Sequence, residues 1–549
     1  MRIACALSLI SGTCAGAFMP RGEIEVNRVR AVAMYTHAFG GYMQHAFPHD
    51  ELKPLTAAGT DNLVELGGVP DPKRDGYSGV AMTLIDCLDT IAVMGNHTTF
   101  AAAVKWVGRY VSFDQDAIVS VFETTIRVLG GLLSAHVIAA GQLPGMSHMQ
   151  VPEYDGALLG LARDLGDRLL PAFEEGADGS GIPYPFVHLQ HGVGPQPVPD
   201  QCLAGAGTNL LEFALLSNLT ADVRYARASI ATLASLWVRQ SEVGLFGNTL
   251  HVRKGTWGSP LAGIGAGADS FYEYLGKGAE LLHAPQLQRM WRLAYGAVRD
   301  HLKAGPYFVS ADMHRPGRRQ LAVFGALQAF WPGMQVLAGD VDDAKETHAA
   351  YMAVWDRFDV MPENFQLKSD GTAIAGATPY PLRPEVAEST LALFEATGDH
   401  TYLHFGARML ASIDRVARTP HGYASVRDVR TGQLEDSMPS YFLAETVKYL
   451  YLLFDPGHPA RGNREVVIST EAHFFPVLGA DALPSDVWAD LDCALEGTDT
   501  EGDGAATPAV CGDAGAAVAP AEHCMDDVRD APPHQGDHAS RNHRGSPWR

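Results

Sequence analysis

Between about Val26 and Pro476 the chain repeats one pattern: apolar residues recur at intervals of three and four, with glycines between the segments. That spacing draws a stripe down one face of an α-helix. "AAVKWVGRYV", "TNLLEFALLSNL", "DSFYEYLGKGAELL", "ESTLALFEAT" and "SYFLAETVKYLYLLF" all carry it. Short extended pieces such as "GLFGNTLHV" and "GYASVRDV" predict small β-hairpins between helices. The expected class is all-α.

One segment echoes another. "LLEFALLSNLTADVRYARASIATLASL" parallels "STLALFEATGDHTYLHFGARMLASI": an apolar helix ends at Thr-(Ala/Gly)-Asp, a Tyr follows, and a second apolar helix begins. Gly398, or Ala221 in its place, ends the first helix, and Asp222 or Asp399 caps the second. The repeated unit is an αα-hairpin. Several such hairpins predict a ring of paired helices around an axial funnel, since an open solenoid shows a tighter repeat. After residue 477 the pattern stops. "EGTDTEGDGAATPAVCGDAGAAVAPAEH" is rich in Gly, Ala, Pro and Asp without a period, and 478–549 are expected to be a disordered acidic tail.

Composition narrows the partners. The 549 residues carry 63 acidic against 41 basic side chains, a net charge of −22, which disfavours nucleic acid and anionic membrane surfaces as partners. The start, "MRIACALSLISGTCAGAFMP", has the layout of a secretory signal over 1–17: Arg2, an apolar run from Ala4 to Ile10, and Ala15-Gly16-Ala17 as a small-residue cleavage site. No later stretch has the unbroken apolar length of a stable membrane span. Two acceptor triplets for N-glycosylation, Asn96-His97-Thr98 and Asn218-Leu219-Thr220, fit a secretory chain. Beyond Cys5 and Cys14 in the signal, Cys87, Cys202, Cys493, Cys511 and Cys524 are too sparse for a disulfide scaffold; one or two bridges and a leftover thiol are expected. The chain closes on Ser-Pro-Trp-Arg, without a lysine-aspartate-glutamate-leucine type retention signal.

The chemistry lies in acidic residues set among apolar ones. Asp86 and Asp89 lie in "TLIDCLDTIAVMG", Glu123 in "SVFETTIRVLGG", Glu212 in "NLLEFALL", and Asp269 and Glu273 in "GAGADSFYEYL". Glu385 and Glu388 lie in "YPLRPEVAEST", Glu445 in "YFLAETVKYLYLLF" and Glu471 in "VISTEAHFF". Each alone reads as a surface point or a cap. Ser270-x-x-Glu273 matches a capping box, and Glu123 with Arg127 reads as an exposed i,i+4 pair. Together, on at least six apolar segments of a ring, they converge on an axial pocket. Carboxylates among Phe, Tyr and Trp suit a carbohydrate, with two of them as acid and base on a glycosidic bond. Pro384 suits the first helical position, and Glu385 then lies in the first turn, where the helix dipole favours a charged base. Glu123, in mid-helix, is pulled two ways: burial raises its pKa and Arg127 lowers it.

With those residues in place, the chain resembles glycoside hydrolase family 47, the class I α-1,2-mannosidases, and within it the ER degradation-enhancing α-mannosidase-like branch. The resemblance runs in order from about Tyr35 to Val477, through "YMQHAFPHDELKPL", "MTLIDCLDTIAVMGN", "VSVFETTIRVLGGLLSAH", "IPYPFVHLQHGVG", "LQAFWPGMQVLAGDV", "EDSMPSYFLAETVKYLYLLFD" and "VISTEAHFFPV". It implies an (αα)7 barrel over 26–477 and Ca²⁺-dependent, inverting removal of terminal α-1,2-mannose from high-mannose N-glycoproteins. By position it implies Glu123 as general acid, Glu385 as base and Asp269 as the second water-activating carboxylate. Arg127 partners the acid; Arg383, Glu212, Glu388 and Glu445 contact sugar or water; Thr470 binds Ca²⁺ through its carbonyl and hydroxyl. The processing mannosidases have a cysteine pair flanking the stretch that here reads "LQAFWPGMQVLAGDV"; this chain has none there. The resemblance implies trimming of misfolded glycoproteins in the ER lumen, marking them for degradation, with a thiol oxidoreductase as a possible partner. A non-cutting, lectin-like receptor and a general processing mannosidase are the alternatives.

Overall fold

The computed structural model describes residues 18–70, 72, 77–177, 179–194, 197–318, 320–368 and 372–496. The expected signal segment with Cys5 and Cys14, and 497–549 with Cys511 and Cys524, lie outside them.

Two kinds of helix follow from two kinds of sequence. Striped segments bury one face. Pro285–Leu302 buries Leu287, Met290, Trp291, Ala294, Tyr295, Val298 and Leu302, the three-and-four spacing of an amphipathic helix, and leaves its other side to solvent. Segments that are apolar all round are covered all round: every residue of Gly130–Ala139 is buried. Burying a Leu- or Ile-sized side chain contributes about 1.5–3 kcal/mol, so each kind settles where its apolar surface is covered.

The covered helices form the inner wall. Among the described residues it has seven rods. They are Met82–Asp86 with Leu88–Val93; Val121–Glu123 continuing through Thr124–Leu129 into Gly130–Ala139; Leu203–Gly207 with Leu210–Thr220; Asp269–Leu282; Ala326–Phe330 with Trp331–Leu337; Glu385–Thr397; and Phe442–Thr446 with Val447–Phe454. Each packs against the next and the last against the first. The striped helices alternate with them on the outside: Arg21–His45, His97–Tyr110, Ala157–Leu169, Arg224–Trp237, Pro285–Leu302, Val341–Phe358 and Thr401–Val416. The fold is an (αα)7 barrel. Val121–Ala139 is long and apolar enough to cross a membrane, but it is the second inner rod, 89% buried in protein over its apolar window.

The helical echo in the sequence is a repeated hairpin. Ala221 and Gly398 both end their helices in the left-handed region, at φ 55° and 64°. Asp222 and Asp399 each accept the N–H of the second residue on, Arg224 and Thr401. Small hairpins join the rods at the end where they begin; Ile118–Ser120 pairs antiparallel with Phe186–His188 and leads straight into the second rod. One hairpin differs. Val466–Ile468 and Phe474–Pro476 pair antiparallel and bring the turn 469–473 up to the inner wall.

Part of the stretch expected to be a disordered tail is helical. Ser485–Trp488 and Ala489–Glu496 are helical and pack on the outer helices Arg224–Trp237 and Pro285–Leu302. Val487, Trp488, Leu491 and Leu495 are an apolar face inside a stretch whose composition is otherwise polar. Cys87 and Cys202 are free thiols and Cys493 is disulfide-bonded.

Candidate active site

Four inner rods carry an acidic residue in their first turn: Glu123, Asp269, Glu385 and, a little deeper on its π-turn, Glu445. The end of the barrel where the inner rods start is the mouth that carries these carboxylates.

Glu123 is held from both sides. The Ser120 hydroxyl accepts its backbone N–H at 3.3 Å, starting the helix. The next turn, Thr124–Leu129, is π-helical, an extra-wide turn that recurs at functional sites. It swings Arg127 inward rather than onto the surface. Arg127 Nε donates to Glu123 Oε2 at 2.9 Å, and Nη2 lies 2.9 Å from the same oxygen. Nη1 donates to Ser440 Oγ at 3.3 Å and to Glu471 Oε1, and lies 4.0 Å from Asp86 Oδ2. With its side chain only 10% exposed, Arg127 is the hub of a buried network, not half of a surface pair.

A second arginine shares an aromatic neighbour with the first. Arg383 Nε and Nη2 donate to the two oxygens of Glu363 at 2.5 and 3.2 Å, a bidentate clamp. Its Nη1 is 3.9 Å from Glu385 Oε1. The Tyr441 ring lies 5.2 Å from the Arg127 guanidinium and 6.0 Å from that of Arg383, within cation–π range of both. Pro384 caps the next helix and Glu385 is its first residue. The helix dipole does not decide the charge of Glu385: burial pushes it up to about 8, against Arg383 and a backbone hydrogen bond. Burial likewise raises Asp269 to about 7, although its Oδ1 accepts the Ser270 N–H at 2.9 Å. Both side chains are half-buried.

Below this layer the turn 469–473 closes the floor. Thr470 sits at its tip. The adjacent Glu471 takes Arg127, and burial still pushes it up to about 8. His473 Nδ1 is 3.0 Å from Asp89 Oδ2, and its Nε2 is 3.3 Å from Asp86 Oδ1. Lys448 Nζ donates to Asp89 Oδ1 at 2.8 Å and to the Ala472 carbonyl at 2.7 Å. Burial favours a neutral Asp89, but Lys448 and His473 outweigh it and hold Asp89 at about 2. Burial also opposes a charged His473, yet Asp89 and Asp86 hold it at about 9. The double glycine of "VLGGLL" makes room: a Cβ on Gly130 would lie 2.6 Å from the His473 ring, and one on Gly131 2.6 Å from the Ile85 carbonyl.

Three more of the expected carboxylates surround this tip. Tyr274 donates to Glu212 Oε1 at 2.6 Å, while Oε2 is buried with no protein partner. Burial raises Glu212 to about 7. Lys277 Nζ bonds to Glu273 Oε1 and is 3.3 Å from Glu388 Oε1 and 3.5 Å from the Ser469 carbonyl. Glu273 is thus an ion-pair partner and not half of a capping box; Ser270 already lies inside the helix, so its hydroxyl has no cap to make. Glu445 stands on a second π-turn, Phe442–Thr446, and burial together with Glu471, Glu385 and Glu388 pushes it well up. Glu212, Glu388 and Glu445 bring oxygen donors to this region, and one of those oxygens, Glu212 Oε2, has no protein partner although Lys277 already pairs with Glu273 and Glu388. That environment fits a hard divalent cation such as Ca²⁺ at Thr470. A separate trio, Asp116, His188 and His191, has ligand atoms within 4.8 Å of one another. Imidazoles suit transition metals rather than Ca²⁺, and both His188 ring nitrogens already have partners, Asp116 and the Gln190 N–H.

All nine residues singled out in the sequence lie in this region: Glu123, Arg127, Asp269, Arg383 and Glu385 at the mouth, and Glu212, Glu388, Glu445 and Thr470 around the floor. Sequence reasoning missed Lys277, Lys448, His473, Ser440, Tyr441 and Glu363. Lys277 and Lys448 had a readable signal, since each is a cation inside an apolar helix. Glu363 had none, because a loop carries it to Arg383.

Residues 34–477 match the sequence profile of Glycosyl hydrolase family 47. The chain belongs to that family and is a glycoside hydrolase. Among curated proteins it is 43% identical to Alpha-mannosidase I MNS5 of Arabidopsis thaliana over 457 residues, 82% of this chain and 77% of that protein. It is 41% identical to human ER degradation-enhancing alpha-mannosidase-like protein 2 over 436 residues, 79% of this chain and 72% of that one. Among solved structures, the alpha-1,2-mannosidase from Trichoderma reesei superposes with a TM-score of 0.72 at 26% identity, covering 82% of this chain and 99% of the other.

Proposed function

We propose that this chain removes terminal α-1,2-linked mannose from high-mannose N-glycans, with inversion and with Ca²⁺, on misfolded glycoproteins of the ER lumen, and so marks them for degradation. The observation that carries the reading is the convergence at one mouth of a clamped Glu123–Arg127 pair with Asp269 and the Arg383–Glu385 pair. The α-mannosidase relatives support the substrate, and the ER degradation-enhancing ones support the setting.

In this reading Glu123 gives its proton to the leaving sugar oxygen, and Arg127 keeps its carboxyl in one orientation. Glu385, on the opposite side of the ring, takes a proton from the attacking water, and Asp269 holds that water. Two carboxyls separated by room for a water invert the anomeric centre. Arg383, fixed by Glu363, and Tyr441 hold the sugar. Thr470, with Glu212, Glu388 and Glu445 around it, would hold the cation. When bound, Ca²⁺ supplies positive charge that orients mannose hydroxyls and favours ionised carboxylates.

The test is mannose release from a high-mannose N-glycan, free or on denatured glycoprotein, with the first-formed anomer read by NMR. Release of the inverted anomer, its loss on chelation, and a fall in kcat of about 10²–10⁴ for Glu123→Gln are expected. No release from either substrate ends the enzymatic reading and leaves the lectin-like one.

A further inference from the structure

We propose that Asn96 and Asn218 both carry N-linked glycans, displayed at the end of the barrel opposite the substrate mouth. The proposal rests on the secretory reading above.

Both asparagines head acceptor triplets, and both are exposed in the folded chain. Asn96 precedes the outer helix His97–Tyr110, and its Oδ1 accepts the Thr99 N–H at 3.1 Å. The cap therefore uses the amide oxygen, whereas glycan transfer uses the amide nitrogen, so a glycan leaves the cap intact. Asn218 stands on the solvent side in the last turn of Leu210–Thr220, where the residue before it, Ser217, is buried.

Topology places them. Glu123, Asp269 and Glu385 open their rods, so the mouth lies where inner rods begin. Asn218 lies near the end of its rod, roughly 24 Å along the axis from Cys202 at a helical rise of about 1.5 Å per residue. Asn96 follows the end of the first rod, which closes at Val93. Its neighbour His97 bonds the Gln150 carbonyl at 2.9 Å, and Val151 bonds the Ala139 carbonyl at the end of the second rod. Glycans at both positions project from the far rim and leave the pocket open.

The modification is transfer from a lipid-pyrophosphate-linked oligosaccharide. The sugar C1–O bond to the pyrophosphate and one N–H bond of Nδ2 break, the C1–Nδ2 bond forms, and the proton leaves with the lipid pyrophosphate.

The full chain is translated with microsomes, or expressed in secretory cells, and treated with an amidase that removes N-glycans. Expected is a mobility shift of two glycans; Thr98→Ala and Thr220→Ala, which keep the asparagines and the cap, each remove one, and the double variant removes both with mannose release unchanged. Asn96→Gln and Asn218→Gln repeat the pattern. A chain protected from added protease by the microsomes yet unshifted overturns the proposal and leaves the secretory reading standing. A chain left unprotected overturns both. Loss of mannose release on glycosylation overturns the placement on the far rim.

Discussion

Lys448 is fully buried beneath the pocket, and its ammonium joins two things that the floor needs together: Asp89 on the first rod and the Ala472 carbonyl in the turn that carries Thr470. Lys448→Met keeps the length of the side chain and removes the charge. Asp89 then keeps His473 and the Ser134 hydroxyl but loses its ammonium partner, and the Ala472 carbonyl loses the Lys448 donor. Removing one partner of a buried ion pair costs about 3–5 kcal/mol, because the other charge stays buried. Unfolding entropy near 2.1 cal/mol/K per residue over the 18–496 span comes to about 1 kcal/mol/K, so the loss corresponds to a fall in Tm of about 3–5 °C. The measurement is scanning calorimetry of the chelated protein, paired with Ca²⁺ titration by calorimetry. We expect Ca²⁺ affinity to fall about tenfold, equivalent to about 1.4 kcal/mol, as the turn loosens. The double variant Lys448→Met/Asp89→Leu should regain at least half of the lost stability, since the Asp89 charge goes with that of Lys448 and His473 keeps Asp86 at 3.3 Å. A Tm within about 1 °C of wild type, with unchanged Ca²⁺ affinity, would refute the idea that this pair pins the turn.

Other consequences follow from the same network. His473 is held at about 9 against the ordinary 6.5, so its charge favours the folded state below about 6.5 and that contribution fades as pH rises through about 9. The Tm deficit of His473→Gln should therefore be larger near pH 6 than above about pH 9; an equal deficit at both contradicts the charge assignment. Asp89, held at about 2 against 3.8, contributes stability above about 3.8 that disappears as pH falls through about 2, measurable as a steeper acid transition in wild type than in Asp89→Asn. Arg383→Lys cannot reproduce the two-point clamp on Glu363, and should raise KM about tenfold with a smaller effect on kcat. A kcat loss as large as that of Glu123→Gln would instead place Arg383 in the chemical step.

The fold was legible because its signals are local. A three-and-four stripe specifies a helix wherever it lies, and glycine or its substitute ends one at Ala221 and Gly398 alike. The site was legible in kind: an acidic residue in an apolar helix is an anomaly on any reading, and Glu123, Asp269, Glu385 and Glu445 all showed it. The roles proposed for them came from the ordered family motifs. Thr470 had no local signal, since a turn threonine looks ordinary until the hairpin brings it beneath the pocket.

Some local rules gave way to burial. The capping box at Ser270 and Glu273 yielded to Lys277, one turn further on, whose ammonium pairs with Glu273. The dipole at Glu385 yielded to desolvation. The Glu123–Arg127 pair, spaced like a surface pair, was turned inward by a π-turn that no periodicity announces.

The sequence by itself determined the helices, their pairing and the class of residue that would do the chemistry, because propensity, spacing and capping act over a few residues. Only the tertiary structure decided which charges meet. Asp89 meets Lys448 and His473 across more than 350 residues, and Arg383 meets Glu363 through a loop. Those encounters set the charge states of the floor, since electrostatic energies depend on distance and on the water that folding removes.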